Sequence, residues 1–267
     1  MVGLGGFTSI VGDQGKEVKA MFSNRELVVT SGNTFTAALC LDGIYKAAEF
    51  FNKRLEESCI TIVGATGDIG SVCAKVLSNK SKQITLCSRG IEESSDLVKE
   101  IRKSSRAIVK LENNSEKSVK DADFVLLATS SFIPMVNIKD FKHRSIVCDV
   151  SLPHNIAQGG MGERNDVFVF DGGRASLPKT KRTFSKKWAG FTPNNSVYGC
   201  LAEGIILGFE GKLEDYSLGR GQIDIFRIEE IIKMGKSHGI ELAPFAFYDR
   251  PYQINELNDY KRIIGNN

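Results

Sequence analysis

The chain has 267 residues, 42% hydrophobic and 25% charged, values that exclude a disordered, collagenous or coiled-coil protein. One or two domains fit that length, which is enough to bury a core without disulfides or a structural metal. A net charge of +3 gives no ground for a nucleic-acid partner, and the one compositional skew is 26 glycines against 6 prolines. Glycine in excess without proline marks tight turns and close backbone approaches rather than a flexible linker.

The start, Met1-Val-Gly-Leu4, has no basic stretch leading into an apolar run, so no signal peptide is expected. The longest apolar stretches, 124–128 and 200–209, are far too short to span a bilayer. Cys40, Cys59, Cys73, Cys87, Cys148 and Cys200 are scattered without a CxxC pair. They read as reduced thiols, and a soluble cytoplasmic protein is expected.

In chain order, residues 1–58 hold a glycine-rich start, Gly3-Leu-Gly-Gly-Phe-Thr-Ser-Ile10, then Thr30-Ser-Gly-Asn-Thr-Phe-Thr36, then a helix predicted over 36–55. From 59 onward short apolar runs alternate with helical patterns. Strands are predicted at 59–63, 83–88, 107–111, 123–128, 145–150 and 166–170, with helices over 71–78 and 92–103. Beyond 171 come a basic loop, an apolar helix over 200–210, a helix over 223–238 ending at Gly239, and a polar tail from Asp249 expected to be ordered only in part. Strand–helix alternation at this spacing implies βαβ units. The expected fold is α/β, a doubly wound, mostly parallel sheet flanked by the N-terminal segment and C-terminal helices. The expected divisions are 1–58, 59–175 (nucleotide-binding core), 176–248 (basic loop and helices) and 249–267 (tail).

The sharpest local signal is Ile60-Thr-Ile-Val-Gly64-Ala-Thr-Gly67-Asp-Ile-Gly70. A buried strand runs into glycines at i, i+3 and i+6, and a helix follows, the order a dinucleotide's pyrophosphate requires. Gly64, Ala65, Thr66, Gly67, Asp68, Ile69 and Gly70 are therefore the candidate cradle of a Rossmann-type site. The turn departs from GxGxxG by Ala65 and by the displaced Gly67, and a turn serving only close strand–helix packing is the alternative. At the end of the second strand, where NAD-binding proteins carry an acidic residue, this chain has Cys87-Ser88-Arg89. A hydroxyl and a guanidinium suit a 2′-phosphate, so Ser88 and Arg89 point to NADPH; otherwise Arg89 is a solvated loop residue. Ala128, Thr129 and Ser130, closing the fourth strand, are expected on the nicotinamide side.

No tyrosine is followed by Lys four residues on, and His143, His154 and His238 lack metal-ligand spacing; no metal is expected. Cysteine is the best nucleophile on offer. Cys200 follows Asn194-Asn-Ser196, good N-cap residues, so it falls near a helix N-terminus, where a thiol's pKa can be lowered. The competing reading is a small apolar residue in a buried helix, like the other five cysteines.

Several motifs taken together resemble the cyanobacterial long-chain fatty acyl-(acyl-carrier-protein) reductases, which reduce acyl thioesters to fatty aldehydes. They are Leu4-Gly-Gly-Phe-Thr-Ser-Ile10, Thr30-Ser-Gly-Asn-Thr-Phe-Thr-Ala37, Val63-Gly-Ala-Thr-Gly-Asp-Ile-Gly-Ser71, Cys200-Leu-Ala-Glu203 with Phe209-Glu-Gly211, and Gly219-Arg-Gly-Gln-Ile223. They lie in order between residues 3 and about 244. This chain begins almost at the first motif and is expected to lack that family's N-terminal region.

The resemblance places the family's catalytic cysteine on Cys200. It implies an acyl-enzyme formed from acyl carrier protein or acyl-CoA and reduced by NADPH. Gly32, Asn33 and Thr34 become substrate or oxyanion candidates, against a reading as a helix cap. Glu203 either orients a donor or is a buried, partner-satisfied carboxylate. The loop 178–188 holds five basic residues in eleven, Lys179, Lys181, Arg182, Lys186 and Lys187. It is either a docking patch for an acidic carrier or a solvated loop. A dehydrogenase of a small amino or hydroxy acid, and a shortened non-catalytic cofactor-binding protein, remain the other functional readings.

Overall fold

The computed structural model describes residues 1–6, 13, 15–22, 27–93, 95–156, 164–178, 196–219, 221 and 223–265. The chain opens with β1 (Val2–Gly3), α1 (Lys16–Met21), β2 (Val29–Thr30) and α2 (Asn33–Phe50). An alternating run follows: β3 (Cys59–Val63), α3 (Asp68–Ser78), β4 (Gln83–Cys87), α4 (Asp96–Ser104), β5 (Ile108–Glu112) and α5 (Ser115–Ser118). It continues through β6 (Phe124–Leu127), β7 (Ile146–Asp149) and β8 (Phe168–Asp171). After these come β9 (Arg174–Ser176), β10 (Ser196–Tyr198), α6 (Gly199–Phe209) and α7 (Ile225–Ser237). Short strands β11 (Glu241–Leu242), β12 (Ala246–Phe247) and β13 (Arg250–Pro251) precede α8 (Ile254–Ile264).

Two compact units result. One joins Met1–Cys40 to Gly173–Pro244; the other joins Leu41–Gly172 to Phe245–Asn267. The second unit is built on a six-stranded, wholly parallel sheet in the order β5-β4-β3-β6-β7-β8. Its central strands are apolar without alternation because both faces are covered: Ile60, Ile62, Phe124–Leu127 and Val147 are buried. The chain order reverses between β3 and β6, which opens a crevice at the carboxyl ends of those strands. All six predicted strands are present, with boundaries moved by at most two residues.

The tail departs from expectation. It forms α8, opened by a capping box between Gln253 and Glu256. Its Tyr260 and the preceding Tyr252 pack edge-on or tilted against Phe168 of β8, which also meets Phe51 and Phe245. Ile264 is buried, and Gly265 lies so close to Phe51 that a Cβ would approach its carbonyl oxygen to 3.1 Å. The polar composition of the tail hid these few anchoring aromatics.

In the first unit, β1 pairs in parallel with β2, and β9 is the centre of a small antiparallel sheet between β10 and β11. Helix α2 begins at Asn33, ahead of the predicted start, because Glu203 receives the amide of Phe35 at 2.7 Å and so caps its first turn. The basic docking candidates Lys179, Lys181, Arg182, Lys186 and Lys187 lie outside the described residues.

Phe168 is fully buried at the centre of its aromatic cluster. Phe168→Ala is expected to cost about 3–5 kcal/mol in denaturant unfolding; a loss below about 1 kcal/mol would contradict the packing of the tail onto β8.

Candidate active site

At the end of β3 the backbone turns on Gly64, which has φ +87°; a Cβ there would lie 2.2 Å from the carbonyl oxygen of Ala128. The amides of Gly64 and Ala65 donate to the carbonyl of Cys87 at 2.9 and 3.1 Å, fastening the turn to the end of β4. Gly70 is equally constrained, since its Cβ would lie 2.2 Å from the carbonyl oxygen of Gly64. Gly67 has ordinary φ, a Cβ there would meet that oxygen tightly at 3.3 Å, and it is the N-cap of α3. The first intrahelical bond runs from Ser71 N to Gly67 O at 2.8 Å, so α3 directs its first-turn amides out of its N-terminus, as an anion site requires. Ala65 and Asp68 are buried, and Ile69 is partly so.

At the neighbouring strand end the Ser88 hydroxyl lies 2.6 Å from that of exposed Thr66, and Arg89 is exposed. No carboxylate side chain occupies positions 87–89. On the far side of the crevice, Ala128 joins β3 through its amide to Val63 O at 2.8 Å, and Ser130 is exposed. Thr129 is braced by two residues that the sequence did not single out. Its amide donates to Ser151 Oγ at 3.2 Å and its hydroxyl to Asn155 Oδ1 at 2.7 Å. Both come from the loop after β7, which folds around buried Asp149: the amides of Ser151 and Asn155 donate to its two carboxylate oxygens at 3.0 and 2.8 Å. Their position just past a predicted strand end was the one signal available. His154 on the same loop has its ring nitrogens 3.5 Å from Asp149 and 3.3 Å from Asp171.

In the other unit Cys200 is the second residue of α6. The N-cap is Tyr198, not a member of the Asn194-Asn-Ser196 run; Ser196 lies in β10, and 194–195 are outside the described residues. Cys200 is mostly buried. Burial pushes its thiol up, and the charge of Glu203 adds to this, while the backbone amides of Gly6, Leu201 and Cys200 itself hydrogen-bond to Sγ and pull it down. The expected lowering by the helix N-terminus is thus outweighed by desolvation. Glycine makes the fit possible: a Cβ on Gly5 would lie 3.5 Å from Sγ, and one on Gly32 (φ +76°) 2.1 Å from Cys200 Cα.

Gly32 and Thr34 are not open oxyanion donors. Gly32 N donates to Thr30 Oγ1 at 3.2 Å, and Thr34 N donates to Ser217 Oγ at 3.1 Å. Asn33 is partly exposed. The amide of Gly6, far from Cys200 in sequence, bears on the Cys200 thiol and was not singled out by sequence reasoning; the double glycine of the first motif was its only trace.

Residues 46–171 match the shikimate/quinate 5-dehydrogenase family. The strand, glycine turn and helix at the switch point of a parallel sheet fall inside that match. The parallel sheet with its glycine turn has the fold of Rossmann-type nucleotide-binding domains. Over 99% of its length it is 28% identical to "Aminotransferase PigE" of a Serratia species, of which it spans 30%. It is also 28% identical, over 91% of its length, to the long-chain acyl-[acyl-carrier-protein] reductase of Synechococcus elongatus, of which it covers 71%. Among solved structures it is similar to the nucleotide-binding domain of glutamyl-tRNA reductase from Thermoplasma volcanium. That likeness is 23% identical, covers 50% of this chain and 84% of that one, and has a TM-score of 0.34. No described helix is long and apolar enough to cross a membrane.

Two expectations follow. Gly67→Ala lowers the thermal midpoint only modestly but weakens dinucleotide binding about tenfold or more, whereas Gly64→Ala and Gly70→Ala destabilise the fold far more; unchanged affinity in Gly67→Ala would remove the pyrophosphate from this turn. Alkylation of Cys200 should lag behind that of free cysteine at neutral pH and keep rising beyond the usual thiol range, because only the thiolate reacts and burial delays it. A reaction faster than free cysteine at neutral pH would contradict that balance.

Proposed function

We propose that the chain is an NADPH-dependent oxidoreductase that reduces an acyl thioester, carried by an acyl carrier protein or coenzyme A, to an aldehyde through Cys200. The observation that carries this reading is the place of Cys200, second residue of α6, with Gly5 and Gly32 packed against it and neighbouring amides that favour its thiolate. Amides so placed can afterwards serve the oxyanion of a tetrahedral adduct. The similarity to a protein named as an acyl-[acyl-carrier-protein] reductase supports the same chemistry. Aldehydes are also amino acceptors for aminotransferases, the class named for the other relative.

In this mechanism the Cys200 thiolate attacks the thioester carbonyl, and the amides stabilise the oxyanion. Collapse expels the carrier thiolate, which takes up a proton, and leaves the acyl group on Cys200. The first-turn amides of α3 would hold the pyrophosphate where the Gly64–Gly70 turn lets the backbone approach it, Ser88 and Arg89 would hold the 2′-phosphate, and Thr129 would border the nicotinamide. Bound NADPH supplies the hydride that takes the acyl group to the aldehyde level. The amides hold the second oxyanion until it collapses, releasing aldehyde and restoring the thiolate.

A second reading is favoured by two observations, the dehydrogenase family match over 46–171 and the upward push of burial on the Cys200 thiol. In it the chain oxidises or reduces a small hydroxy or amino acid, and Cys200 is structural. Cys200→Ala separates the two: in the first, thioester-dependent NADPH oxidation should fall by about a thousandfold or more, whereas in the second the wild-type chain shows none and its turnover of the acid is unchanged by the substitution. Arg89→Ala should weaken NADPH far more than NADH, by about tenfold or more; an equal loss for both would refute the 2′-phosphate contact.

A further inference from the structure

Glu203 lies one turn beyond Cys200 and is completely buried. Every proton in its surroundings is directed toward it. Gly32 N donates to Thr30 Oγ1 at 3.2 Å, so the Thr30 hydroxyl is turned to give its own proton to Glu203 Oε1. Thr34 donates its amide to Ser217 Oγ at 3.1 Å, its hydroxyl contacts the same atom, and Ser217 donates onward to Glu203 Oε1 at 2.8 Å. Phe35 N donates to Oε2 at 2.7 Å. Burial pushes the Glu203 carboxyl up, and the donors from Thr30, Phe35 and Ser217 pull it back down; a network of donors ending on two acceptor oxygens is the arrangement that suits a carboxylate.

The same donors bracket Gly32, whose Cα packs on the backbone of Cys200. We infer that Glu203 is the positioning residue of the Cys200 site: its buried negative charge holds the Thr30–Phe35 turn against the nucleophile and opposes ionisation of the thiol. This rests on the reading of Cys200 as the nucleophile. It gives the free protein a guarded thiol, whose ionisation is set by the balance between this charge and the three amides on Sγ.

Among the described residues, the groups facing this cluster are few. Tyr216, beside Ser217, is pushed up chiefly by burial, with Glu203 a minor contributor. Its hydroxyl is 2.9 Å from Glu230 Oε2, and its ring is stacked by Arg227 at 4.9 Å. Lys212 also lies over that ring at 5.5 Å and pairs with Glu230. Asp215, before Tyr216, takes the amide of Val29 at 2.9 Å and pairs with Lys19 at 3.2 Å, and buried Arg174 lies over the ring of Tyr198 at 3.9 Å; Glu203 is the charged group that bears on the Cys200 thiol.

The test is the pH profile of Cys200 alkylation by iodoacetamide on the full chain, followed by the mass of the Cys200 peptide. Glu203→Gln should move the titration down by about half a unit, roughly threefold more thiolate at neutral pH. Glu203→Asp, which keeps the charge, should stay near wild type. A Gln variant that melts like wild type and titrates unchanged overturns the proposal, as does an Asp variant that shifts as far as Gln. Should Glu203→Gln not fold, Ser217→Ala carries the test: with one donor fewer the buried carboxyl holds its charge less well, so the titration should move down as it does in the Gln variant, and no movement or an upward one overturns the proposal. The outcome is independent of turnover. Failure of the wild-type chain to accept an acyl group on Cys200 would sink the thioester reading and leave this titration standing.

Discussion

At Gly64 a side chain would collide with the carbonyl oxygen of Ala128, and at Gly70 with that of Gly64; at Gly32 it would enter the backbone of Cys200. Backbone contact too close for a Cβ is the constraint on which both units are built. It lets the end of β3, the start of α3 and the end of β6 meet at one point, which is where a parallel sheet presents its crevice. It also lets the turn at 31–33 lie directly on the first turn of α6. Gly64 and Gly32 take positive φ as well, so an alanine would suffer twice, through its Cβ contact and through its backbone conformation.

The polar groups sort in a parallel way. In the sheet unit, Asp149 spends both oxygens on backbone amides of the loop that braces Thr129, a fixed frame on the nicotinamide side of the crevice. In the other unit, Glu203 spends its oxygens on Thr30, Ser217 and the first turn of α2. Each is a buried carboxylate made tolerable by donors rather than by a cation. The difference is their neighbour. Glu203 sits one turn from a thiol that burial and its charge push up and three amides pull down.

Much of the sheet was legible because a strand buried on both faces, such as Cys59-Ile-Thr-Ile-Val63, writes itself as an unbroken apolar run. The glycine turn was legible for the same reason: its residue types follow from local backbone geometry. Long-range partners were not. Gly6 reaches Cys200 across almost the whole sequence, and Ser217 and Thr30 meet on Glu203 from elements with no shared periodicity. The tail misled because α8 depends on Tyr252, Tyr260 and Ile264 packing onto distant residues, while its composition is that of a solvated end. The position of Cys200 on α6 was readable, but the net push on its thiol was not, since desolvation depends on what the fold lays over it.

The most direct measurement is the intact mass of the chain after incubation with an acyl thioester, first without and then with NADPH. Formation of one acyl adduct, mapped to Cys200 and discharged as aldehyde when NADPH is added, is the predicted result. An adduct that persists in Cys200→Ala, or aldehyde formed by that variant at the wild-type rate, would contradict it.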